Sequence, residues 1–198
     1  MRLVTCIFII SVLMGCASLN KSLNPVNYLS WYSSTDFGWK GLDTVQGTMM
    51  CTMRLFPKEV DIAKCALENC ENKETLKDQL AIKEETVDFI IEFASLKPGI
   101  SLFELPGTVN SSRAERIMYF SSGIKNDIKG ITSSGDTLVC ESVLYEPSLP
   151  QKARILISIE KSKKSMNQLL IRDRIISGET IRFSIPELTN KTIPTLKL

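Results

Sequence analysis

The chain contains no histidine. That removes the Ser-His-Asp and Cys-His nucleophile systems, histidine-ligated zinc and a histidine pH switch. Cysteines, serine–lysine pairs and carboxylates are left to do chemistry. Four of the six cysteines, Cys51, Cys65, Cys70 and Cys140, lie beyond Cys16. In an oxidising compartment four cysteines permit two disulfides in three connectivities, with buried free thiols as the alternative. Cys51 and Cys140 fall in strand patterns and are candidates for packed thiols or a cross-strand bridge. Cys65 and Cys70, five residues apart, do not share a face of one continuous helix. A bridge between them requires the helix to end between them. The spacing is neither a redox Cys-x-x-Cys nor a zinc ribbon, and no metal is expected.

Ser-x-x-Lys, the spacing of histidine-free acyl-transfer nucleophiles, occurs at Ser18/Lys21, Ser122/Lys125 and Ser158/Lys161. A chain rich in Ser and Lys supplies such matches by chance, and the companion motifs of penicillin-recognising enzymes are not evident. Glu84, Glu85, Glu92, Glu104, Asp127, Asp136, Glu141 and Glu146 are the residue type of a glycosidase pair, but nothing in the sequence brings two of them together. The ten glycines are scattered as turn residues, with no phosphate-binding loop. No catalytic residue is assigned. A histidine-independent envelope hydrolase acting on cell-wall polymer stands as the alternative to a non-catalytic domain.

Position is more legible than chemistry. Met1-Arg2 opens an apolar run from Leu3 to Met14. Twelve helical residues rise about 18 Å, against a hydrocarbon core of about 30 Å, so the run reads as a signal peptide rather than a membrane span. It ends in Leu13-Met14-Gly15-Cys16, which resembles the bacterial lipobox. That resemblance implies removal of residues 1–15 and a new N-terminus at Cys16. Its thiolate carries diacylglycerol and its amine an acyl chain, with no other cofactor. Each buried methylene contributes about 0.8 kcal/mol, so two or three acyl chains make a lasting anchor. Ala17, where inner-membrane lipoproteins carry Asp, implies an outer-membrane lipoprotein. The absence of acid in residues 17–24 favours the periplasmic side over the surface. Inner-membrane and surface placements are the alternatives. The mature region also resembles small lipoproteins of Bacteroidota, through Gly-Asp-Thr-Leu-x-Cys (Gly135–Cys140) and the ending Ile193-Pro194-Thr195-Leu196-Lys197. This resemblance implies no activity. Asp43-Thr44-Val45 and Asp136-Thr137-Leu138 resemble the O-glycosylation acceptor of that phylum, making Thr44 and Thr137 candidates where exposed.

The charge balance, 24 basic against 22 acidic residues, gives no case for nucleic acid. Residues 152–174 hold seven basic side chains against two acidic ones, a candidate face for anionic lipid or an acidic partner, or else ordinary solvated strand ends. Trp31, Tyr32 and Trp39 form a candidate aromatic patch for a small-ligand carrier. The competing reading is a segment pinned to the core by its rings.

The elements that position these residues follow from periodicity. Val45 to Leu55 reads as one strand with Val45, Met49, Cys51, Met53 and Leu55 on the buried side. Residues 58–84 read as two short helices broken at 69–72, with Val60, Ala63, Leu67 and Cys70 on one face and Leu76 and Leu80 on the second. Val87–Ala94 reads as a strand. Ser112 and Glu115 have capping-box spacing, and Gly123 suits a left-handed helix stop. Strands follow at 128–131, 137–145, 153–159, 169–176 and 181–185, separated by turns. The expected fold is α+β: an antiparallel sheet, with a meander in the C-terminal half, and two or three short helices mostly in the N-terminal half. The expected divisions are a signal peptide (1–15), lipidated Cys16 with a tether (16–27), one globular domain (28–190) and a polar tail (191–198). The whole reads as a lipid-anchored envelope protein whose domain binds or scaffolds. Its partners are the membrane, through the anchor, and an envelope protein.

Overall fold

The computed structural model describes residues 22–34, 41–82, 85–147, 151–185 and 193–198. Cys16, Ser18, Lys21, Trp39 and Glu84 lie outside them. In chain order the elements begin with β1 (Ser22–Leu23), α1 (Pro25–Ser33), β2 (Leu42–Gln46), β3 (Met49–Leu55), α2 (Glu59–Glu68), α3 (Lys73–Ala81) and β4 (Thr86–Ser95). They continue with α4 (Arg113–Ser121), β5 (Ile128–Thr132), β6 (Thr137–Glu146), β7 (Lys152–Glu160), β8 (Met166–Arg172), β9 (Thr180–Ser184) and β10 (Thr195–Leu196). The fold is α+β, and three of the four α-helices among the described residues precede residue 82.

Eight strands form one antiparallel sheet in the order β2-β3-β4-β7-β6-β5-β8-β9. Side chains alternate across a strand, so one face collects Cys51 and Met53 of β3, Phe89, Ile91 and Phe93 of β4, and Ile155, Ile157 and Ile159 of β7. The sheet curls around this face until β2 and β9 come into contact. Helix α4 packs against β6 and β7, with Phe120 inserted against Phe93 (ring centroids 5.0 Å apart) and Phe103 (6.1 Å). Its start is fixed by the expected capping box. Ser112 Oγ accepts the Glu115 N–H and the Glu115 carboxylate accepts the Ser112 N–H. Gly123 opens a 3₁₀ turn (Gly123–Asp127) and is not left-handed, a difference from expectation.

Two devices bend the sheet. In β6 the register shifts between Cys140 and Ser142, leaving Glu141 as an extra residue. This bulge lets Leu138 and Cys140 face inward before it and Val143 and Tyr145 after it. In β5, a Cβ on Gly130 would stand 2.7 Å from Met166 Sδ and 3.1 Å from both Ile159 Cγ2 and Leu138 Cβ. Glycine is needed for that close approach. The meander is present as β5-β6-β7, and β8 then joins the free edge of β5. The spatial order β8-β5-β6-β7 is that of a Greek key.

The other face of the sheet carries α1, α2 and α3. Tyr28, Phe56, Val60, Ala63 and Leu76 pack there, with Ile90 and Leu156 beneath them. Four expectations change here and at the strand ends. Val45–Leu55 is a hairpin, because Gly47 (φ 57) turns the chain and leaves Val45 57% exposed on the outer side. Leu67, in the last turn of α2, is exposed, and Cys70 is exposed because α2 ends before it. Strand β8 stops at Arg172, where Asp173 turns the chain by accepting the N–H groups of Ile175 and Ile176 at 3.0 and 3.1 Å. Finally, residues 22–27 and 195–196, read as tether and tail, belong to the fold. β1 pairs in parallel with β10, Leu196 is buried, and the Asn24 side chain accepts the Asn27 N–H at the start of α1. Single apolar residues such as Leu23 and Leu196, set in polar surroundings, carry no periodic signal.

Candidate functional site

The helices do not cover the whole outer face. Ile90, Leu156 and Leu144 stand side by side on β4, β7 and β6, paired in register as one cross-strand row. Ile90 and Leu156 are half-buried against the helical layer. Leu144 lies past its edge and is 67% exposed. A groove of about 470 Å³ opens over this row, walled by Phe56 and rimmed by Lys64 of α2. Lys64 Nζ lies 5.6 Å from the Phe56 ring centroid, a cation–π contact that fixes the rim.

The next row on the same face is ionic. Glu92, Arg154 and Glu146 are cross-strand partners on the same three strands. Arg154 reaches Glu92 at 2.9 Å and Glu146 at 3.2 Å, and Lys152 Nζ meets Glu92 at 2.8 Å. Burial pushes the Glu92 carboxyl up, but the hydrogen bonds from Lys152 and Arg154 outweigh it and hold the pKa below the usual range. The site is therefore an apolar row beside a charged one, suited to a partner that buries hydrocarbon and aligns its own charges along the ionic edge.

The structure distributes the candidate residues as follows. Trp31 and Tyr32 pack into the helical layer. The Tyr28 and Trp31 rings are 5.3 Å apart, Tyr32 meets Phe56 edge-on at 6.1 Å, and Tyr32 Oη donates to the Leu55 carbonyl at 3.2 Å. Burial pushes the Tyr32 phenol up to about 12. Cys51 and Cys140 are buried thiols on the inner face. They are three strands apart, about 14 Å along the sheet, and at different registers, so no bridge joins them. Burial raises both thiols, Cys140 to about 11. Thr44 is half-buried opposite Cys51, whereas Thr137 is exposed beside the Ser133–Asp136 turn.

Ser122 Oγ donates to the Met118 carbonyl at 3.2 Å and terminates α4. Of the carboxylates, the structure brings together Glu92 and Glu146, through their shared Arg154. A general acid needs a raised pKa, the opposite of the direction at Glu92. Glu104 pairs with Arg113, Asp136 with Lys164 and Asp127 with Arg174. Lys152, Arg154, Lys164 and Arg174 are thus ion-paired, which breaks up the basic run of residues 152–174.

Sequence reasoning missed Leu144 and Phe56 as site residues. The facing of Leu144 depends on the register set by the Glu141 bulge, Phe56 is held beyond the end of β3 by its N–H bond to the Asp88 carbonyl, and no local pattern encodes which strands become neighbours. It also missed a buried polar knot under α4. There the single Tyr119 O–H is shared between Asp127 Oδ2 at 3.2 Å and the Arg172 carbonyl at 3.0 Å, and buried Arg116 donates to Ser111 Oγ at 3.0 Å and to the Leu105 carbonyl. These bonds fasten the loops around α4 to the sheet.

No protein-family model matches the chain, and neither a curated protein nor a solved structure is significantly similar to it.

Proposed function

We propose that this is a bacterial envelope lipoprotein anchored through Cys16 in the outer membrane, facing the periplasm. Its domain binds an envelope protein, without catalysis, through the groove on the outer sheet face. The observation that carries the binding reading is the row Ile90–Leu156–Leu144, which runs out from under the helices into solvent beside an ion-paired edge. A row that served packing alone would end under the layer that covers it. The packing of Trp31 and Tyr32 against Tyr28, Phe56 and Leu55 supports the groove over an aromatic ligand pocket.

Two measurements test this reading. The anchor predicts that intact mass on the membrane fraction gives a species beginning at Cys16 with diacylglycerol and acyl chain. In Cys16→Ser both the lipid and the membrane association should disappear. The groove predicts that a photo-crosslinking side chain at position 144 gives a discrete envelope adduct. The same group at exposed Met118 should give none. Equal labelling at both positions defeats the groove, and a soluble unlipidated wild type defeats the anchor.

A further inference from the structure

Helix α2 ends between its two cysteines. Asn69, just after Glu68, is left-handed (φ 54, ψ 37) and is the one described non-glycine residue with positive φ. The chain doubles back there, and the Cys70 N–H donates to the Cys65 carbonyl at 3.1 Å. This six-residue bond is the mark of a helix stop in which the side chains at the two ends of the bond meet. In most proteins those two positions carry apolar groups; here they carry two thiols, with Cys70 Sγ also 3.8 Å from Glu68 Oε2. A backbone bond between the two residues themselves keeps their α-carbons near the separation a disulfide needs, about 4.4–6.8 Å. Cys70 is exposed and Cys65 half-buried, so an oxidant has access.

We propose that Cys65 and Cys70 form an intrachain disulfide that clasps the C-terminal end of α2, closed by exchange with a small or protein disulfide. The exposed Cys70 gives up its proton and its thiolate attacks the oxidant RS–SR, breaking that bond and releasing RS⁻. The Cys65 thiolate then displaces the second RS⁻ from the mixed disulfide. Two electrons pass from the cysteine pair to the oxidant, and the two protons end on two molecules of RSH. The clasp lies next to Lys64 at the groove rim, so closing it fixes the last turn of the wall beside the site. The inference rests on the helix stop and holds whatever occupies the groove.

The test uses the full mature chain equilibrated with glutathione disulfide, then denatured, alkylated with iodoacetamide and cut with trypsin. Lys64 and Lys73 bound one fragment, residues 65–73, which holds both cysteines. The expected result is an unalkylated 65–73 fragment lighter than the dithiol by two hydrogens, with Cys51 and Cys140 alkylated. Cys65→Ser should stall as a stable glutathione adduct on Cys70, because the resolving thiol is gone. Amide exchange at the end of α2 should slow in the oxidised wild type. Two alkyl groups on the fragment, a persistent glutathione adduct in the wild type, or a bridge from Cys70 to Cys51 or Cys140 overturns the proposal.

Discussion

The two faces of the sheet are built from the same strands and do different work. On β4 and β7 the odd-numbered residues Phe89, Ile91, Ile155 and Ile157 enter the inner cluster, while Ile90 and Leu156 between them enter the outer one. The inner cluster is enclosed by its own sheet, which curls until its edges touch, and α4 plugs it. The outer cluster is roofed by three short helices that stop before the end of the row they cover. It also depends on β1 and β10, which lie far apart in the chain. An enclosed core is insensitive to what binds outside. A partly roofed one exposes apolar surface and movable edges, which is where the groove and the thiol pair are found.

The sharpest way to break the contrast is in the inner cluster. Phe93→Ala, a ring at 1% exposure touching Phe120, should cost about 3–5 kcal/mol in urea unfolding and lower the transition of the whole domain. Gly130→Val should cost about 1–3 kcal/mol by overpacking against Met166, Ile159 and Leu138, or more where the strands cannot part. In the outer layer Leu196→Ala should cost about 2 kcal/mol. Its effect should be local, with faster amide exchange in β1 and α1 and unchanged protection in β4 and β7; loss of protection throughout the sheet would mean that the two faces are not separable.

Glu92 gives a smaller, pH-dependent effect. Its folded pKa lies below the unfolded value of about 4.3, so its pairing stabilises the protein above that pH and the contribution fades as pH falls through the folded value. Glu92→Gln should therefore be less stable than wild type at neutral pH and converge with it in acid. A gap that persists in acid would point to packing instead of charge. Leu144→Ser should move stability by only about 0.5 kcal/mol, while abolishing the envelope adduct trapped at the adjoining groove residues.

Those differences track what the sequence could tell. β4 and β7 were legible because alternating Phe and Ile have one physical explanation, a strand buried on at least one face. The capping box at Ser112 and Glu115 and the break at 69–72 were legible for the same reason: their signals are local. The hairpin at Gly47 was not, because Val45 and Met49 happen to keep the alternation across the turn. The Cys65–Cys70 geometry was legible as a condition, that the helix must end between them, and the backbone at Asn69 meets it. The groove was illegible, since Ile90, Leu156 and Leu144 become neighbours only through pairing of distant strands and a one-residue bulge.

The parallel pairing of β1 with β10 has a consequence in time as well as space. In a chain that emerges N-terminus first, Leu23 appears early, but the strand it needs, Thr195–Leu196, appears only after nearly the whole intervening domain. The β2–β3 hairpin and the helix pair α2–α3 have their partners close in sequence and can form at once. The inner sheet can therefore assemble while the roof is still missing a beam, and the final closing step falls to a pair of two-residue strands. Until that moment Tyr28 and Leu76 have an incomplete shelter, so a chaperone or a premature partner competes for this face first.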